Sequence, residues 1–207
     1  MTACLGVILD KASNTQTFFG GGEVENKNKI VSSSQNHHSN DIMSLNVNAC
    51  GDRSKAVSGQ VGKNPAVFIW DTTTGEKISR TALPKNARAV SAIAISPDGA
   101  YIATADESND HVVNIFSTGD MGGVYQQKGG PDKIHDLTFA KNGDVKVWTA
   151  GIKHFMMHDS ATGKGKKGLF GNNERTSFAC VTADDQGNAF SGGANGQVYV
   201  WAGNTCK

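Results

Sequence analysis

Two histidine pairs are the first residues in this sequence whose types and spacing could do chemistry. His154 and His158 have the His-x-x-x-His spacing that can hold zinc on a helix, but their segment predicts a strand and no Glu follows the first His. We therefore interpret both as packed strand residues. His37 and His38 lie in a polar stretch, where we expect a solvated pair and where stray metal affinity is the alternative. The sequence predicts no metal ion and no other cofactor.

The remaining reactive side chains lack partners along the chain. The cysteines are far apart, form no Cys-x-x-Cys pair and have no paired base, so we expect reduced, intracellular, mostly buried thiols and no thiol catalysis. Asp10, Asp71 and Asp159 end predicted strands, and we interpret them as turn-capping residues. The sequence therefore predicts that the protein is not an enzyme. The cysteines are Cys4, Cys50, Cys180 and Cys206.

Basic residues supply the candidates for partner binding. The segment Gly163–Gly168 carries three lysines that could contact an acidic partner, although a solvated hairpin is the simpler interpretation. Its spacing does not match a phosphate-binding loop. Arg88 and Lys153 lie in connections that could reach one face of the scaffold. Loops held by a rigid scaffold are the usual binding surface. The candidate partner-binding residues are Arg88, Lys153, Lys164, Lys166 and Lys167.

Composition argues against several classes of partner. Lys plus Arg is 20 and Asp plus Glu is 19, and the net charge of +1 is too small for a domain that coats nucleic acid or an anionic membrane. No apolar run approaches the ~18 residues of a membrane span, and residues 1–10 lack the basic region of a signal peptide. We expect a cytoplasmic protein with protein partners and without nucleic-acid or membrane partners.

The elements that must position these residues are short strands. Glycine accounts for 25 of the 207 residues and proline for 4, a composition that suits many tight turns. A seven-residue pattern of alternating apolar residues, closed by a turn and a glycine, occurs four times. In its first copy the alternation places Leu45 and Val47 on one strand face. The closing glycines, separated by 48, 44 and 44 residues, are Gly51, Gly99, Gly143 and Gly187.

Further strands are predicted after each copy of this pattern. A strand with small residues follows each glycine, then a third strand, and in the first three copies a polar fourth strand. Four antiparallel strands in a repeat of about 40–45 residues are typical of a WD40-type propeller blade, which buries its faces against neighbouring blades. A β-sandwich, the alternative, has no reason to repeat this register. Near their ends the third strands carry Trp70, Phe116, His158 and Trp201.

The predicted fold class is all-β: a WD40-type β-propeller segment of about four blades, each four-stranded and antiparallel, from a longer propeller. A preceding blade supplies its last two strands, a flexible loop follows, and the last blade stops after its third strand. Exposed edges at both ends predict pairing with another chain. The boundaries are 5–19 for the preceding blade, 20–40 for the loop, 41–84, 88–129 and 132–171 for complete blades, and 176–207 for the incomplete one.

Segments along nearly the whole chain resemble, in order, the echinoderm microtubule-associated-protein-like (EMAP-like) branch of the WD-repeat proteins. Gly6–Asp10 followed by Thr15–Phe19 is similar to the stretch after the family's hydrophobic HELP motif, and Ser58–Asp71 is similar to its first well-formed blade. Gly-Ile-Lys-His at 151–154 and Gly-Leu-Phe-Gly at 168–171 are similar to its third blade and are not general WD40 features. Further similar segments are 132–135, 190–193 and 196–201.

The chain also departs from the family's pattern. Where two blades of the family have Trp-Asp, this chain has Phe-Ser at 116–117 and Trp-Ala at 201–202. In a third blade His158 replaces the Trp, and the 20–40 loop is longer than in the family. The core of the HELP motif and the upstream coiled-coil and basic region, with which the family's oligomerisation and much of its microtubule affinity are associated, are not in this sequence. The residues of the structural blade motif are Trp70, Asp71, Phe116, His158, Asp159 and Trp201.

The resemblance implies a non-enzymatic scaffold that binds tubulin or microtubules and organises the microtubule cytoskeleton. It implies a location in the cytoplasm and on microtubules, including those of a cilium or spindle. A general WD-repeat adaptor that holds another protein without binding microtubules is the alternative. A propeller enzyme is the third hypothesis, and it is disfavoured because no acid–base pair, nucleophile or metal set converges in the sequence.

Overall fold

A computed structural model describes residues 4–24, 35–48 and 52–207 of the chain. Within these ranges the chain folds into short strands joined by turns and contains no helix, so none is available there to cross a membrane. Of the predicted features, Cys50, Gly51 and the centre of the 20–40 loop lie outside the described residues.

The strands group into one two-stranded hairpin and four four-stranded sheets, which we call the N-terminal hairpin and blades 1 to 4. The N-terminal hairpin is β1 (Gly6–Asp10) and β2 (Thr15–Phe19). Blade 1 is β3 (Ile42–Val47), β4 (Lys55–Gln60), β5 (Ala66–Asp71) and β6 (Lys77–Ala82), and blade 2 is β7 (Val90–Ile95), β8 (Tyr101–Asp106), β9 (Val112–Ser117) and β10 (Gly123–Lys128). Blade 3 is β11 (Ile134–Phe139), β12 (Lys146–Gly151), β13 (His154–Asp159) and β14 (Lys164–Lys167), and blade 4 is β15 (Phe178–Ala183), β16 (Asn188–Gly193), β17 (Val198–Ala202) and β18 (Thr205–Cys206).

Every blade is a meander in which consecutive strands pair antiparallel, so its first and last strands form its two edges. The first strands of neighbouring blades contact each other: β3 contacts β7, β7 contacts β11, and β11 contacts β15. Four sheets that meet along their first strands are arranged as a fan about a common axis, as propeller blades are. The predicted fold class, an all-β propeller segment of four blades, is confirmed.

The repeat in the sequence is also a repeat in strand register. Each first strand has an irregularity in its pairing after its first residue, a feature that strengthens local twist. Near the end of each third strand, the residue that the sequence predicts to be equivalent pairs with an apolar residue at the same position of the second strand. These pairs are Trp70 with Ala56, Phe116 with Ile102, His158 with Val147, and Trp201 with Ala189.

The hydrophobic core lies between the blades. Val57 and Ile69 of blade 1 pack in one cluster with Val90 and Ile93 of blade 2. Similar clusters join blade 2 to blade 3 and blade 3 to blade 4. Because each interior blade buries apolar side chains on both faces, no single blade could form this core alone.

The N-terminal hairpin covers part of the outer face of blade 1. The ring of Phe19 is 1% exposed and stacks on Trp70 with 5.2 Å between ring centroids. Gly6 also lies against this indole, because a Cβ at that position would be 2.9 Å from the ring. The hairpin therefore packs on the third strand of blade 1 and leaves its first strand open. Leu45 on that first strand is 51% exposed as a result.

Blade 4 differs from its prediction at its last strand. The sequence predicts that this blade stops after its third strand, but β18 pairs with β17 and completes a four-stranded sheet. Leu169, in the connection from blade 3, bridges to Thr205 and holds the strand in place. A strand of two residues is too short to show a hydrophobic period, which is why the sequence did not reveal it.

Apolar side chains are exposed at both ends of the blade series. Val7, Leu9 and Phe18 lie on the face of the N-terminal hairpin opposite to Phe19, and each is between 43% and 51% exposed. Val198, on the third strand of blade 4, is 70% exposed. Exposed apolar patches of this kind are suited to association. The structure thus offers sheet faces, in addition to strand edges, for the pairing predicted at the ends.

Candidate interaction surface

The connections between blades and the turns between second and third strands lie on one side of the blade series, which we call the connection face. Backbone hydrogen bonds join each of these turns to the connection beside it: Gly62 N to Arg88 O at 2.8 Å, Gly130 N to Asp110 O at 3.0 Å, and Ile152 N to Lys133 O at 2.9 Å. The remaining turns lie on the opposite side, the turn face, because successive strands run antiparallel. Loops held by a rigid scaffold are usual binding surfaces.

Two of the predicted partner-binding residues lie on the connection face. Arg88 is in the connection from blade 1 to blade 2, and its Nη1 donates to Asn109 Oδ1 at 3.1 Å. Lys153 is in the tight turn between β12 and β13, where its backbone has a φ of 48°. Its backbone N–H donates to Ser177 Oγ at 3.2 Å, so the connection to blade 4 fixes this turn. The side chains of Arg88 and Lys153 therefore project from backbone that hydrogen bonds hold in place.

The structure divides the predicted lysine cluster between two sides of β14. A Cβ at Gly165 would lie 3.2 Å from Cδ of Gln127 in blade 2, so this position faces blade 2. Side chains alternate along a strand, and Lys167 accordingly shares that side. Lys164 and Lys166 lie on the other side, towards blade 4. The single basic hairpin predicted from the sequence is therefore two separate basic positions.

Lys167 and Lys153 meet at a groove on the connection face, which we call the basic groove. It has a volume of about 160 Å³ and lies between the connections on either side of blade 3. Its basic residues are Lys153, Lys167 and Arg175, and its acidic residue is Asp132. Its apolar floor includes Phe155 and Phe170. Arg175, which the sequence analysis did not select, has its guanidinium carbon 5.4 Å from the centroid of the Phe170 ring.

His154 and His158 form a buried hydrogen-bond chain within blade 3. Nε2 of each histidine contacts Thr149 Oγ1, at 2.8 Å for His154 and 3.1 Å for His158. His158 Nδ1 lies 3.0 Å from Tyr125 Oη, which in turn donates to Gln127 Oε1 at 2.9 Å. The chain is satisfied when both histidines are neutral, with His154 donating to the threonine hydroxyl and the hydroxyl donating to His158. This geometry agrees with the packed-strand interpretation.

Burial sets the protonation of these groups. Burial lowers the pKa of His154 to about 4 and that of His158 to about 3, because removal from water disfavours the imidazolium. Burial also raises the pKa of the Tyr125 hydroxyl to about 12. Within the described ranges of the chain, no group of three His, Cys, Asp or Glu side chains could hold a metal ion. The hydrogen-bond chain through Thr149, His154 and His158 therefore joins neutral groups.

The prediction that His38 is solvated was wrong. Its side chain is fully buried, its Nδ1 lies 2.8 Å from Gln60 Oε1, and its Nε2 lies 2.7 Å from Ser58 Oγ. The same serine oxygen accepts the indole N–H of Trp70 at 3.1 Å. Burial is the main cause that lowers the pKa of His38 to about 4. The end of the predicted flexible loop therefore belongs to the core of blade 1, a placement that the polar sequence around His38 concealed.

A buried hydroxyl lies at one register position in the second strand of every blade, two residues after the partner of the third-strand end. In blade 4 it accepts the indole N–H of Trp201 at 2.8 Å, which repeats the bond in blade 1. In blade 3 it contacts His158, which replaces the tryptophan. In blade 2 the equivalent third-strand residue is Phe116, whose side chain has no hydrogen-bonding atom, and the hydroxyl has no partner among the described residues. The four residues are Ser58, Thr104, Thr149 and Ser191.

The carboxylates at strand ends cap turns, as the sequence predicts. Asp71 Oδ1 accepts the backbone N–H groups of Thr73 and Thr74 at 2.7 and 2.8 Å. These hydrogen bonds stabilise the carboxylate and lower the pKa of Asp71 below its ordinary value. Asp159 Oδ1 accepts the N–H of Ala161 at 3.0 Å in the equivalent turn of blade 3.

Asp136 is a partly buried carboxylate that the sequence analysis did not select. It lies on the first strand of blade 3, beside a polar cavity of about 330 Å³ along the common axis. Its Oδ2 accepts the backbone N–H of Val181 in blade 4 at 2.8 Å and thereby joins two first strands. Burial is the main cause that raises its pKa, and the hydrogen bonds act in the opposite direction. The contact identifies Asp136 as a link between blades.

Comparison with known proteins places these features in a family. The model of the WD domain, G-beta repeat, matches residues 78–117, which span the last strand of blade 1 and the first three strands of blade 2. Two solved structures, the RRP9 WD40 repeats and U3-55K, each align with 82% of the chain at a TM-score of 0.63 and 22% identity. At this identity they support the propeller fold alone.

Several curated relatives match much more of the sequence. A ciliary WD repeat-containing protein, ctxp80 of Euplotoides octocarinatus, is 44% identical over 98% of the chain. The 77 kDa echinoderm microtubule-associated protein of Strongylocentrotus purpuratus and the echinoderm microtubule-associated protein-like 1 of Homo sapiens are each 28% identical over 81% of it. The chain spans 28%, 26% and 22% of the lengths of these three proteins, in that order. The repeated register, the buried hydroxyl layer and these similarities identify the chain as a WD40-type β-propeller segment of the WD-repeat proteins, similar to the EMAP-like branch along most of its length.

Proposed function

We propose that this chain is part of a non-enzymatic WD-repeat scaffold that binds tubulin or microtubules and helps to organise the microtubule cytoskeleton. The observation that carries the proposal is the continuous similarity to a ciliary WD-repeat protein, at 44% identity over 98% of the chain, together with the matches to microtubule-associated proteins. A location on cytoplasmic or ciliary microtubules is part of the same proposal.

The connection face supports a role in holding another protein. Its turns are tied by backbone hydrogen bonds, so a partner can bind without a large cost of ordering loops. Arg88, Lys153 and Lys167 present positive charge on or beside this face. Surfaces of complementary charge speed association and select the partner. An acidic protein surface is the type of partner that these cations fit.

Co-sedimentation with polymerised tubulin tests the proposal. The full-length protein is mixed with microtubules at two salt concentrations and pelleted, with tubulin-free samples as the control. We expect the protein to pellet with microtubules at low salt and less at high salt, because screening weakens contacts between exposed charges. A protein that stays in the supernatant at low salt removes the microtubule proposal.

A second candidate is a general WD-repeat adaptor that holds another protein and does not bind microtubules. The small net charge of +1 favours this alternative, because broad attraction to a strongly acidic polymer would benefit from a larger basic excess. The alternative predicts no pelleting with microtubules at either salt concentration. It also predicts recovery of a partner protein when the full-length protein is cross-linked in cells and purified.

A further inference from the structure

We propose that the basic groove binds an acidic peptide segment of a partner protein. Lys153, Lys167 and Arg175 would hold its carboxylates, and an apolar side chain next to them would rest on the rings of Phe155 and Phe170. The proposal rests on the proposed protein-binding function and adds the chemistry of the partner and the place where it binds.

The first observation is that the groove gathers cations that are not neutralised. Among the described residues, Lys128, Lys133 and Lys146 each form an ion pair with a nearby carboxylate. In the same part of the chain, the three cations of the basic groove form no ion pair. Three positive charges therefore face one carboxylate, that of Asp132, around about 160 Å³ of space. Charge-assisted hydrogen bonds to carboxylates are among the stronger polar contacts that such groups can make.

The second observation is that the groove combines charge with an apolar floor. Phe155 is 4% exposed, and it forms part of the floor. Phe170 is half-buried, and Arg175 lies over its ring, which holds the guanidinium at the edge of the groove. Gly168 adjoins this floor, because a Cβ there would lie 3.1 Å from the Phe155 ring. The surface is suited to a segment in which acidic and apolar side chains are neighbours.

The third observation is that the groove is formed before any partner arrives. Lys153 stands on a left-handed turn that is bonded to Ser177 of the next connection. Gly130 has a φ of 127°, and among the described residues beyond its chain neighbours no atom lies within 4 Å of the position where its Cβ would be, so the backbone borders open space. Preformed sites lose less conformational freedom when they bind. Lys153 and Gly130 thus border a site whose backbone loses little conformational freedom when a partner binds.

The small extent of the groove favours a peptide over a nucleic acid. Binding along a phosphate backbone depends on many cations that follow the polymer. The groove offers three cations, and the chain as a whole carries a net charge of +1. An acidic peptide is therefore the occupant to which we commit.

Fluorescence anisotropy with a labelled glutamate-rich peptide that contains phenylalanine tests the proposal. The probe is titrated with the 207-residue chain and compared with a peptide in which glutamine replaces every glutamate. We expect the acidic peptide to bind, the glutamine peptide to bind at least about tenfold more weakly, and the affinity to fall with salt. No binding of the acidic peptide at low salt overturns the proposal.

Paired variants locate the site. We expect Lys153→Glu with Lys167→Glu to weaken binding of the acidic peptide by at least about tenfold. Lys164→Glu with Lys166→Glu is the matched control: it makes the same charge change on the other side of β14, and we expect it to weaken binding less than threefold, roughly the effect of long-range charge alone. Equal losses in the two pairs overturn the groove as the site. If the first pair fails to fold, Arg175→Gln provides the groove variant, and unchanged affinity then overturns the proposal.

Co-sedimentation separates this proposal from the proposed function. Peptide binding that depends on Lys153 and Lys167, without pelleting on microtubules, supports the groove and removes tubulin as the partner. Pelleting on microtubules by a chain whose groove does not bind the peptide supports the proposed function and overturns the groove.

Discussion

Ser58, Thr104, Thr149 and Ser191 occupy the same register position in their blades, yet their hydrogen bonds differ. The serines of blades 1 and 4 accept indole N–H groups, and Thr149 lies between two histidines. In the described part of the chain Thr104 Oγ1 is buried without a partner, because the third strand of blade 2 has phenylalanine where blades 1 and 4 have tryptophan. A buried hydroxyl without a hydrogen bond costs stability, whereas a bonded one contributes to it. The same substitution should therefore have opposite effects in two blades.

Valine at these two positions tests this difference. We expect Thr104→Val to raise the free energy of unfolding by about 1 kcal/mol, because an unpartnered hydroxyl leaves the core. We expect Thr149→Val to lower it by about 2 kcal/mol, because two buried histidines lose their partner. Urea denaturation followed by tryptophan fluorescence measures both. A loss of stability in the Thr104 variant as large as that in the Thr149 variant would contradict the assignment.

Buried neutral histidines make stability depend on pH. The folded chain lowers the pKa of His38 and His154 to about 4 and that of His158 to about 3, from an ordinary value of 6.5. Between these values and pH 6.5 the unfolded chain binds more protons, so stability is fully present above pH 6.5 and is lost as the pH falls. Each histidine contributes a slope of about 1.4 kcal/mol per pH unit within its range. Urea denaturation at a series of pH values measures the total slope.

The variant His158→Gln is the control for this pH dependence. We expect this variant to be less stable at neutral pH, and we expect the slope of stability against pH to fall by the contribution of one proton between about pH 3 and 6.5. An unchanged slope would show that His158 does not titrate on unfolding in this range.

The role of an individual residue could be predicted from the sequence only where its spacing from other residues carries information. The capping role of Asp71 and the equivalence of Trp70 and Trp201 were predicted from their positions near strand ends. Asp71 accepts a backbone N–H of its turn, and the two tryptophans share one register position. The burial of His38 could not be predicted in this way. Its partners are 20 and 22 residues away on β4, the second strand of blade 1, and only the packing of the loop end against β4 reveals them.

At the scale of elements, the N-terminal hairpin is joined to blade 1 through one aromatic contact region. Phe19 packs between His38, Phe68 and Trp70, whereas its neighbour Phe18 points away and is 51% exposed. Adjacent residues on a strand face opposite sides. The two phenylalanines therefore provide a matched pair for measuring how much the hairpin contributes.

Alanine substitution distinguishes the two faces of the hairpin. We expect Phe19→Ala to lower the free energy of unfolding by about 3 kcal/mol, because it leaves a cavity beside the indole of Trp70. Phe18→Ala should change it by less than about 0.5 kcal/mol. Denaturant unfolding of both variants measures the difference, and similar losses would contradict the described packing of the hairpin.

Most elements could be predicted because each blade repeats an alternation of apolar and polar residues. The division of the lysine cluster could not be predicted, because it depends on which side of β14 each lysine occupies. The contact between Gly165 and Gln127 shows that side, and it joins two blades. The basic groove was also hidden, because Lys153, Lys167 and Arg175 belong to three different segments. Register and the contacts between blades bring them together.

At the scale of the whole molecule, the two ends of the blade series expose apolar faces. We expect the 207-residue chain to self-associate, because Val7 at one end and Val198 at the other are exposed. Val7→Glu with Val198→Glu should shift the population to monomer in sedimentation velocity. Val124→Glu is the control, since Val124 is similarly exposed but lies in blade 2, which has a blade on each side. A chain that is monomeric at all concentrations contradicts this expectation.

The proposed function leads to one central expectation, that the connection face binds a protein partner of the microtubule system. Hydrogen exchange of the chain, measured with and without polymerised tubulin, tests it most directly. We predict slower exchange in residues 129–133, 152–153 and 168–177, which form the connection face around the basic groove. No change on addition of microtubules, or protection confined to residues 118–122 and 160–163 of the turn face, would contradict this expectation.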